Sequence, residues 1–211
     1  MYEERNTMKK LLVVISLLAL SQVAWAGNFD YSLGYSRGYS QGYLGNGNNE
    51  PPLGEAKDDC FPWSIIGRVA YTKYSFKPIA EVLYKRSIYN VSTDRAYMRL
   101  DPMEITGRIG VMKEIYGVEL IGMVGYTHWE AKLQVSERMP DGTIFKHAAG
   151  ANLFDTVSFR LGIAKYISLT ESLEWGFEVG GEYYPLGWKI NRCMTFEQNK
   201  VEPYGAMFVR W

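Results

Sequence analysis

The chain has 211 residues, 23 acidic and 23 basic side chains, 2 cysteines, 2 histidines and 47% apolar residues, with aromatics at 15%. That length holds one domain, or two small ones; the apolar content is too high for a disordered chain, and there is no basic excess to bind nucleic acid by counterion release. So few His and Cys count against a zinc site or an iron–sulfur cluster.

The first segment, 1–26, reads as a leader. Met8, Lys9 and Lys10 form a short basic stretch, Leu11 to Leu20 is almost wholly apolar, and Ala24-Trp25-Ala26 gives a small-x-small pattern before Gly27. This is the three-part layout of a secretory signal peptide, cut between Ala26 and Gly27, and the apolar run is shorter than the about 20 residues of a spanning helix. Glu3 and Glu4 are out of place ahead of a basic stretch, which favours a translation start at Met8. The mature domain is then 27–211, and no lipidation cysteine follows the apolar run.

From Phe29 the mature chain alternates. Phe29, Tyr31, Leu33, Tyr35, Arg37 and Tyr39 interleave with Asp30, Ser32, Gly34, Ser36, Gly38 and Ser40. Successive side chains of a strand leave opposite faces, so this spacing predicts a strand with its tyrosines together. The step Gly34, Gly38, Gly42 keeps strand parity, and in a helix each glycine would cost about 1 kcal/mol. The same period recurs in chain order. Trp63, Ile65, Val69 and Tyr71 alternate with Ser64, Arg68, Ala70 and Thr72. Ile79 to Tyr89 is less regular and is read as a strand because the count requires one there. Met103, Ile105, Ile109 and Val111 alternate with Glu104, Thr106, Arg108 and Gly110; Val118, Leu120, Val124 and Tyr126 share a face with Gly122. Val157, Phe159, Leu161 and Ile163 alternate with Thr156, Ser158, Arg160 and Gly162. Leu173, Trp175, Phe177, Val179 and Tyr183 alternate with Glu174, Gly176, Glu178, Gly180 and Glu182, and the last strand runs to Met207, Val209 and Trp211 opposite Glu202, Ala206 and Arg210.

About eight strands result. Short turns fall near Ser75–Pro78, Lys113–Gly117 and Lys165–Ser172, and long polar loops near Leu44–Phe61, Ser87–Leu100, Ala131–Phe154 and Pro185–Lys200. Short turns on one side and long loops on the other predict an all-β fold, an antiparallel up-and-down transmembrane barrel with periplasmic turns and extracellular loops. A lipocalin or sandwich would put the apolar face inside. Here the polar face is Gly, Ser, Thr and isolated Glu or Arg, which fits a crowded lumen better than a solvated surface. Tyr31, Tyr39, Trp63, Tyr71, Tyr126, Tyr166, Trp175, Tyr183 and Trp211 fall near strand ends of the apolar face, as two membrane interfaces select. The luminal face then carries Arg68, Arg108, Arg160 and Arg210 with Glu104, Glu119, Glu174, Glu178, Glu182 and Glu202. Such charges form either an ion path or an interlocked salt-bridge core, and a barrel of about eight strands leaves little free lumen, which favours the core.

The terminal stretch Pro203-Tyr204-Gly205-Ala206-Met207-Phe208-Val209-Arg210-Trp211 resembles the C-terminal assembly signal of Gram-negative outer-membrane barrels, with Met207, Val209 and Trp211 as its alternating apolar positions. Phe29 to Ser36 is similar to the first strand, and Val118 to Tyr126 to a middle strand, of the attachment-invasion (Ail/Lom) and OmpX-like barrels. The resemblance implies a monomeric protein of the cell outer membrane, set among lipopolysaccharide and inserted by the barrel-assembly machinery. It further implies adhesion, colonisation or serum resistance through extracellular loops, without a cofactor, metal or catalytic group. A host-surface or matrix protein is the partner class.

Three features complete the expectations. Lys132-Leu133-Gln134-Val135 and Thr143-Ile144-Phe145-Lys146 flank the turn tripeptide Pro140-Asp141-Gly142, predicting a hairpin beyond the membrane that presents Lys132, Asp141, Phe145 and Lys146. Ser87 to Val91 and Ala96 to Arg99 predict its neighbour; a protruding sheet has unpaired edge groups and can recruit another chain by strand addition. An alternative function, lipid A modification, needs a nucleophile beside a base; His128 has Trp129 and Glu130 after it but no nearby Ser, and His147 lies in the third loop. A narrow structural barrel without a dedicated partner is the other alternative. Cys60 opens the second strand and Cys193 lies in the last long loop, both on the outer side; the second and eighth strands flank the first, which brings these loops near each other, and export permits a disulfide between them.

Overall fold

A computed structural model describes residues 28–46, 56–92, 96–138, 143–185, 189–191, 194–198 and 200–211. The leader with Ala26 and Gly27, Asp141, and Cys193 lie outside the described residues. The strands, in order, are β1 (Phe29–Gly38), β2 (Ser40–Asn46), β3 (Ala56–Cys60), β4 (Trp63–Tyr71), β5 (Phe76–Arg86), β6 (Tyr89–Ser92) and β7 (Ala96–Ile115). They continue as β8 (Val118–Arg138), β9 (Ile144–Ser168), β10 (Glu174–Tyr183), β11 (Lys189–Asn191), β12 (Met194–Gln198) and β13 (Val201–Arg210).

Eight of them close on themselves in the order β5-β4-β1-β13-β10-β9-β8-β7, with β7 paired back to β5. Every ladder in the ring is antiparallel. Closure leaves no edge in the ring, so each backbone donor and acceptor has a neighbour to pair with, as hydrocarbon surroundings demand. The seam between first and last strands runs from Ser32↔Arg210 to Gly38↔Tyr204, and Tyr31 and Trp211 exchange backbone bonds of 3.0 and 2.9 Å below it. The turn between β7 and β8 is the tightest. Ile115 opposes Val118, and the two linking residues take positive φ, 52° at Tyr116 and 75° at Gly117, the hairpin geometry whose twist matches the strands.

The apolar face looks out. Ile109 is 68% exposed and Leu161 69%, while Arg160 and Glu178 are at 0%; in a water-soluble barrel those values would be reversed. Rings gather at both margins of the apolar band: Phe29 on Tyr71 (centroids 5.0 Å apart) and Tyr71 on Tyr74 (5.6 Å) near the turns, Trp63 on Tyr84 (5.9 Å) toward the outer side. The barrel strands β1, β10 and β13 are 10 residues long, the length that crosses a bilayer with tilt. No helix among the described residues is long and apolar enough to cross.

Two expectations change. Tyr166 does not belong to the outer girdle: its even number puts it inward with Arg160 and Ala164, where its ring lies 3.7 Å from the Arg210 guanidinium. The long polar loops contain strand among their described residues, not only in Ser87–Leu100 and Ala131–Phe154, where hairpins were expected, but also in Leu44–Phe61 and Pro185–Lys200. Leu44–Phe61 contains β3 and the end of β2, Ser87–Leu100 contains β6, Ala131–Phe154 is traversed by β8 and β9, and Pro185–Lys200 contains β11 and β12. Outside the bilayer a ladder needs no apolar face, so the alternation that marks the barrel strands is missing there. Cys60 accordingly ends β3 rather than opening β4.

Candidate functional site

The lumen is filled from both ends by ion pairs separated by apolar layers. Toward the turns, Arg210 reaches Glu119 on β8 (2.8 Å) and Glu174 on β10, and Lys77 on β5 approaches Glu119 at 3.2 Å. Above this tier, Ala70, Ile79, Met112, Ile121, Met123 and Ala164 pack together. The middle tier interlocks three arginines with three glutamates. Arg160 contacts Glu178 (2.8 Å), Glu81 (3.3 Å) and Glu182 (3.3 Å); Arg68 contacts Glu81 (2.8 Å) and Glu178 (2.9 Å); Arg108 contacts Glu81 (2.9 Å) and Glu182 (3.1 Å). Tyr204 donates its hydroxyl proton to Glu178 and accepts from Arg160 Nε at 2.9 Å. Aromatic faces complete the packing, with Arg68 4.6 Å from the centre of Phe208 and Arg160 4.0 Å from that of Tyr204. The ring of Phe208 needs Gly34 beside it, because a Cβ at that position would collide with it; this is what the small residues of the first strand accomplish.

The outermost tier centres on Lys85. Its ammonium contacts Glu104 (3.0 Å), Glu182 (3.4 Å) and Glu202, and donates to Tyr184 Oη at 2.9 Å. The ten residues that parity puts on the luminal face, Arg68, Arg108, Arg160 and Arg210 with Glu104, Glu119, Glu174, Glu178, Glu182 and Glu202, all contribute to these tiers. Sequence reasoning missed Glu81 and Lys85, which hold the middle and outer tiers. Their strand, β5, does alternate, as Lys77, Ile79, Glu81, Leu83 and Lys85 against Pro78, Ala80, Val82, Tyr84 and Arg86, but Ile79 and Leu83 share the charged side and Pro78 and Ala80 the lipid side, so the contrast is weak. Groups joined this way are costly to separate, since each buried charge relies on its neighbours. Three arginines thus cross the lumen from β4, β7 and β9 to shared carboxylates.

Beyond the barrel the strands continue. β8 has 21 residues and β9 25, about twice what a bilayer requires. The outer parts of β7, β8 and β9 form a sheet with β6, whose Asn90 opposes Arg99. A second sheet, β11-β12-β2-β3, continues the other side of the ring. The two sheets differ at their junctions. At the start of β6, Ile88 N–H donates to Cys60 Sγ at the end of β3 (3.4 Å), and Tyr89 Oη donates to Ser40 Oγ at the start of β2 (2.8 Å). On the other side, the β9–β10 ladder stops at Phe159↔Tyr183. Tyr184 N–H turns away to Lys200 O at 2.8 Å, and Pro185 has no N–H to offer. Among the described residues, β9 from Ile144 to Ser158 pairs only with β8.

Of the expected hairpin residues, Lys132 is exposed at the irregularity between Ala131 and Leu133, Phe145 opposes Glu137, and Lys146 opposes Ser136. His128 faces outward, with Ile105 and Asp155 as its ladder neighbours; its Nδ1 lies 2.8 Å from Asp155 Oδ1. No Ser, Thr or Cys stands beside it in those ladder positions. Among the described residues no group of three or more His, Cys, Asp or Glu could hold a metal ion.

A closed eight-stranded barrel with lipid-facing apolar residues, aromatic margins, a packed ionic lumen and long outer strands is an outer-membrane β-barrel, the class that spans the bacterial outer membrane. Among solved structures, the chain is similar to Ail, the attachment invasion locus protein of Yersinia pestis, at 14% identity and a TM-score of 0.41, covering 86% of this chain and 99% of that one. It is similar to OprG of Pseudomonas aeruginosa (11%, TM-score 0.46, 88% and 96% covered) and to the outer membrane protease OmpT of Escherichia coli (8%, TM-score 0.49, 88% and 96% covered). No protein-family model and no curated protein matches the sequence.

Proposed function

We propose that this barrel is a non-enzymatic surface protein of a Gram-negative bacterium that attaches the cell to a host surface or matrix protein, serving adhesion, colonisation or serum resistance. The observation that carries this reading is the contrast within single strands: the barrel half of β8 and β9 surrounds a lumen crossed by ion pairs, and the outer half projects a sheet whose β9 edge has a ladder partner on one side only among the described residues. Such an edge offers backbone donors and acceptors to an extended segment of another chain. The barrel supports this platform as a monomer in lipopolysaccharide-bearing lipid, after insertion by the assembly machinery.

The test is to replace the segment from Lys132 to Lys146 with a two-residue turn and to measure cell binding to host cells and to immobilised matrix. Loss of binding with an unchanged heat-modifiable band supports the outer sheet as the working part; unchanged binding removes it. A second reading, lipid A hydrolysis, draws on the His128–Asp155 pair at the outer margin of the lipid face. Alanine at His128 and His147, followed by mass analysis of lipid A, decides it: an altered acyl pattern revives the enzyme, an unaltered one ends it.

A further inference from the structure

The enclosed lumen holds an odd charge. Among the described residues its middle and outer tiers contain four cations (Arg68, Lys85, Arg108, Arg160) and five carboxylates (Glu81, Glu104, Glu178, Glu182, Glu202), none more than 5% exposed. The three arginines balance Glu81, Glu178 and Glu182. Lys85 then faces both Glu104 and Glu202, so that among the described residues the carboxylates, counted as ionised, outnumber the cations by one. A buried charge without a counterpart is strongly destabilising.

The geometry shows where the deficit lies. One oxygen of Glu202 is engaged by the Lys85 ammonium. The other, Oε1, has no hydrogen-bond partner although the side chain is only 3% exposed. Glu202 also lines a cavity together with Ser36, Ser64, Lys85, Glu182 and Tyr204, with about 10 Å³ of room for the centre of a water-sized particle, which is space for one water or ion. Ser36 and Ser64 hydrogen-bond each other there, so one hydroxyl proton is spent between them and lone pairs on both oxygens remain. Tyr204 is already committed to Glu178 and Arg160.

We infer that this cavity binds one dehydrated monovalent alkali cation, held by Glu202 Oε1 and the hydroxyl oxygens of Ser36 and Ser64. The donor set fixes the class: all the ligands are hard oxygens, which excludes soft metals, and a single open carboxylate oxygen is too little charge for a calcium-type site. A single positive charge is also what the tier lacks. The cation ties β13 to β1 and β4 across the seam where the ring closes, so it stabilises the closed barrel. This inference concerns the barrel alone and stands or falls independently of what the outer sheet binds.

The experiment uses the full mature chain in detergent micelles. The temperature at which the compact band is lost is measured at constant pH and ionic strength in sodium, potassium or rubidium chloride and in choline chloride, whose cation is too large for the cavity. The expected result is a midpoint about 5 °C higher in at least one alkali salt than in choline, and no such difference in Glu202→Gln. Should that variant fail to fold, Ser64→Ala serves in its place and is expected to reduce the difference. Crystals grown with rubidium or thallium(I) are expected to show an anomalous peak between Glu202, Ser36 and Ser64. Equal midpoints in all four salts, an ion dependence that survives in both variants, or no anomalous peak would overturn the site. A midpoint that follows pH and ignores the cation would assign the missing charge to a proton and overturn it equally.

Discussion

The lower and upper halves of the molecule share strands but not rules. Within the barrel, a residue of β8 such as Val124 faces lipid and its neighbour Met123 faces a packed lumen, so every position has one permitted character. Past Tyr126 the same strand carries His128, Glu130 and Lys132 outward, because water accepts charges that lipid rejects. The hydrogen-bond ladder crosses the boundary without a break as far as Ala131↔Asn152, and the register shifts only beyond it. Pairing alone is thus indifferent to amphipathic pattern. What imposes the pattern is the solvent on each side, and the ladder persists wherever a neighbour strand is available.

The sharpest way to break this comparison is inside the lumen. Arg160→Met leaves Glu81, Glu178 and Glu182 short of a shared cation at full burial, and the expected cost is about 3–5 kcal/mol. Urea unfolding from detergent or lipid measures it. A loss under about 1 kcal/mol would mean that the lumen is wet enough to screen its charges. Next in size is the lipid face. Ile109→Arg, at a residue 68% exposed and opposite Val124, is expected to cost about 2–4 kcal/mol in a bilayer near the midplane. The same substitution at Ile144, also exposed but in the outer half of β9, is expected to leave stability within about 0.5 kcal/mol. Equal costs at the two sites would erase the distinction between the halves.

The same contrast explains what the sequence disclosed. The barrel strands were legible because lipid outside and crowding inside force a period of two, and Ser32, Arg68, Arg108, Arg160 and Glu178 could each be placed inward by parity. Which arginine meets which carboxylate was not legible: Arg160 and Glu81 are 79 residues apart, and their contact follows from strand stagger around the ring. Tyr166 misled because an aromatic near a strand end fits a girdle by type, while parity and the space left by Gly176 turn it inward. The outer strands β3, β11 and β12 carried no legible signal because nothing in water requires them to be amphipathic, whereas β6 was marked by the stretch Ser87 to Val91 and the start of β2 by the glycine step that reaches Gly42. The one-sided pairing of outer β9 among the described residues was equally hidden, since it arises from where β10 stops rather than from any residue of β9 itself.

The smallest effect is expected at the boundary between the two halves, and it is the most discriminating for that reason. Arg86 ends β5 and its guanidinium meets Asp101 of β7 at 2.7 Å, a bidentate geometry made by Nε and Nη2. By contact distance it equals the luminal pairs. By environment it does not, since the Arg86 side chain is 45% exposed and that of Asp101 18%. An exposed pair contributes about 0–1 kcal/mol however good its geometry, because water and salt screen it. Arg86→Met is therefore expected to change unfolding free energy by less than about 1 kcal/mol, with the difference shrinking further in 1 M salt. The Arg160→Met loss, fully enclosed, is expected to keep its size across the same salt range. Measuring both variants at low and high salt separates geometry from surroundings: if Arg86→Met costs as much as Arg160→Met and is equally indifferent to salt, the outer end of the barrel is dry and the boundary between the halves lies farther from the turns than Tyr84 and Tyr126 mark it.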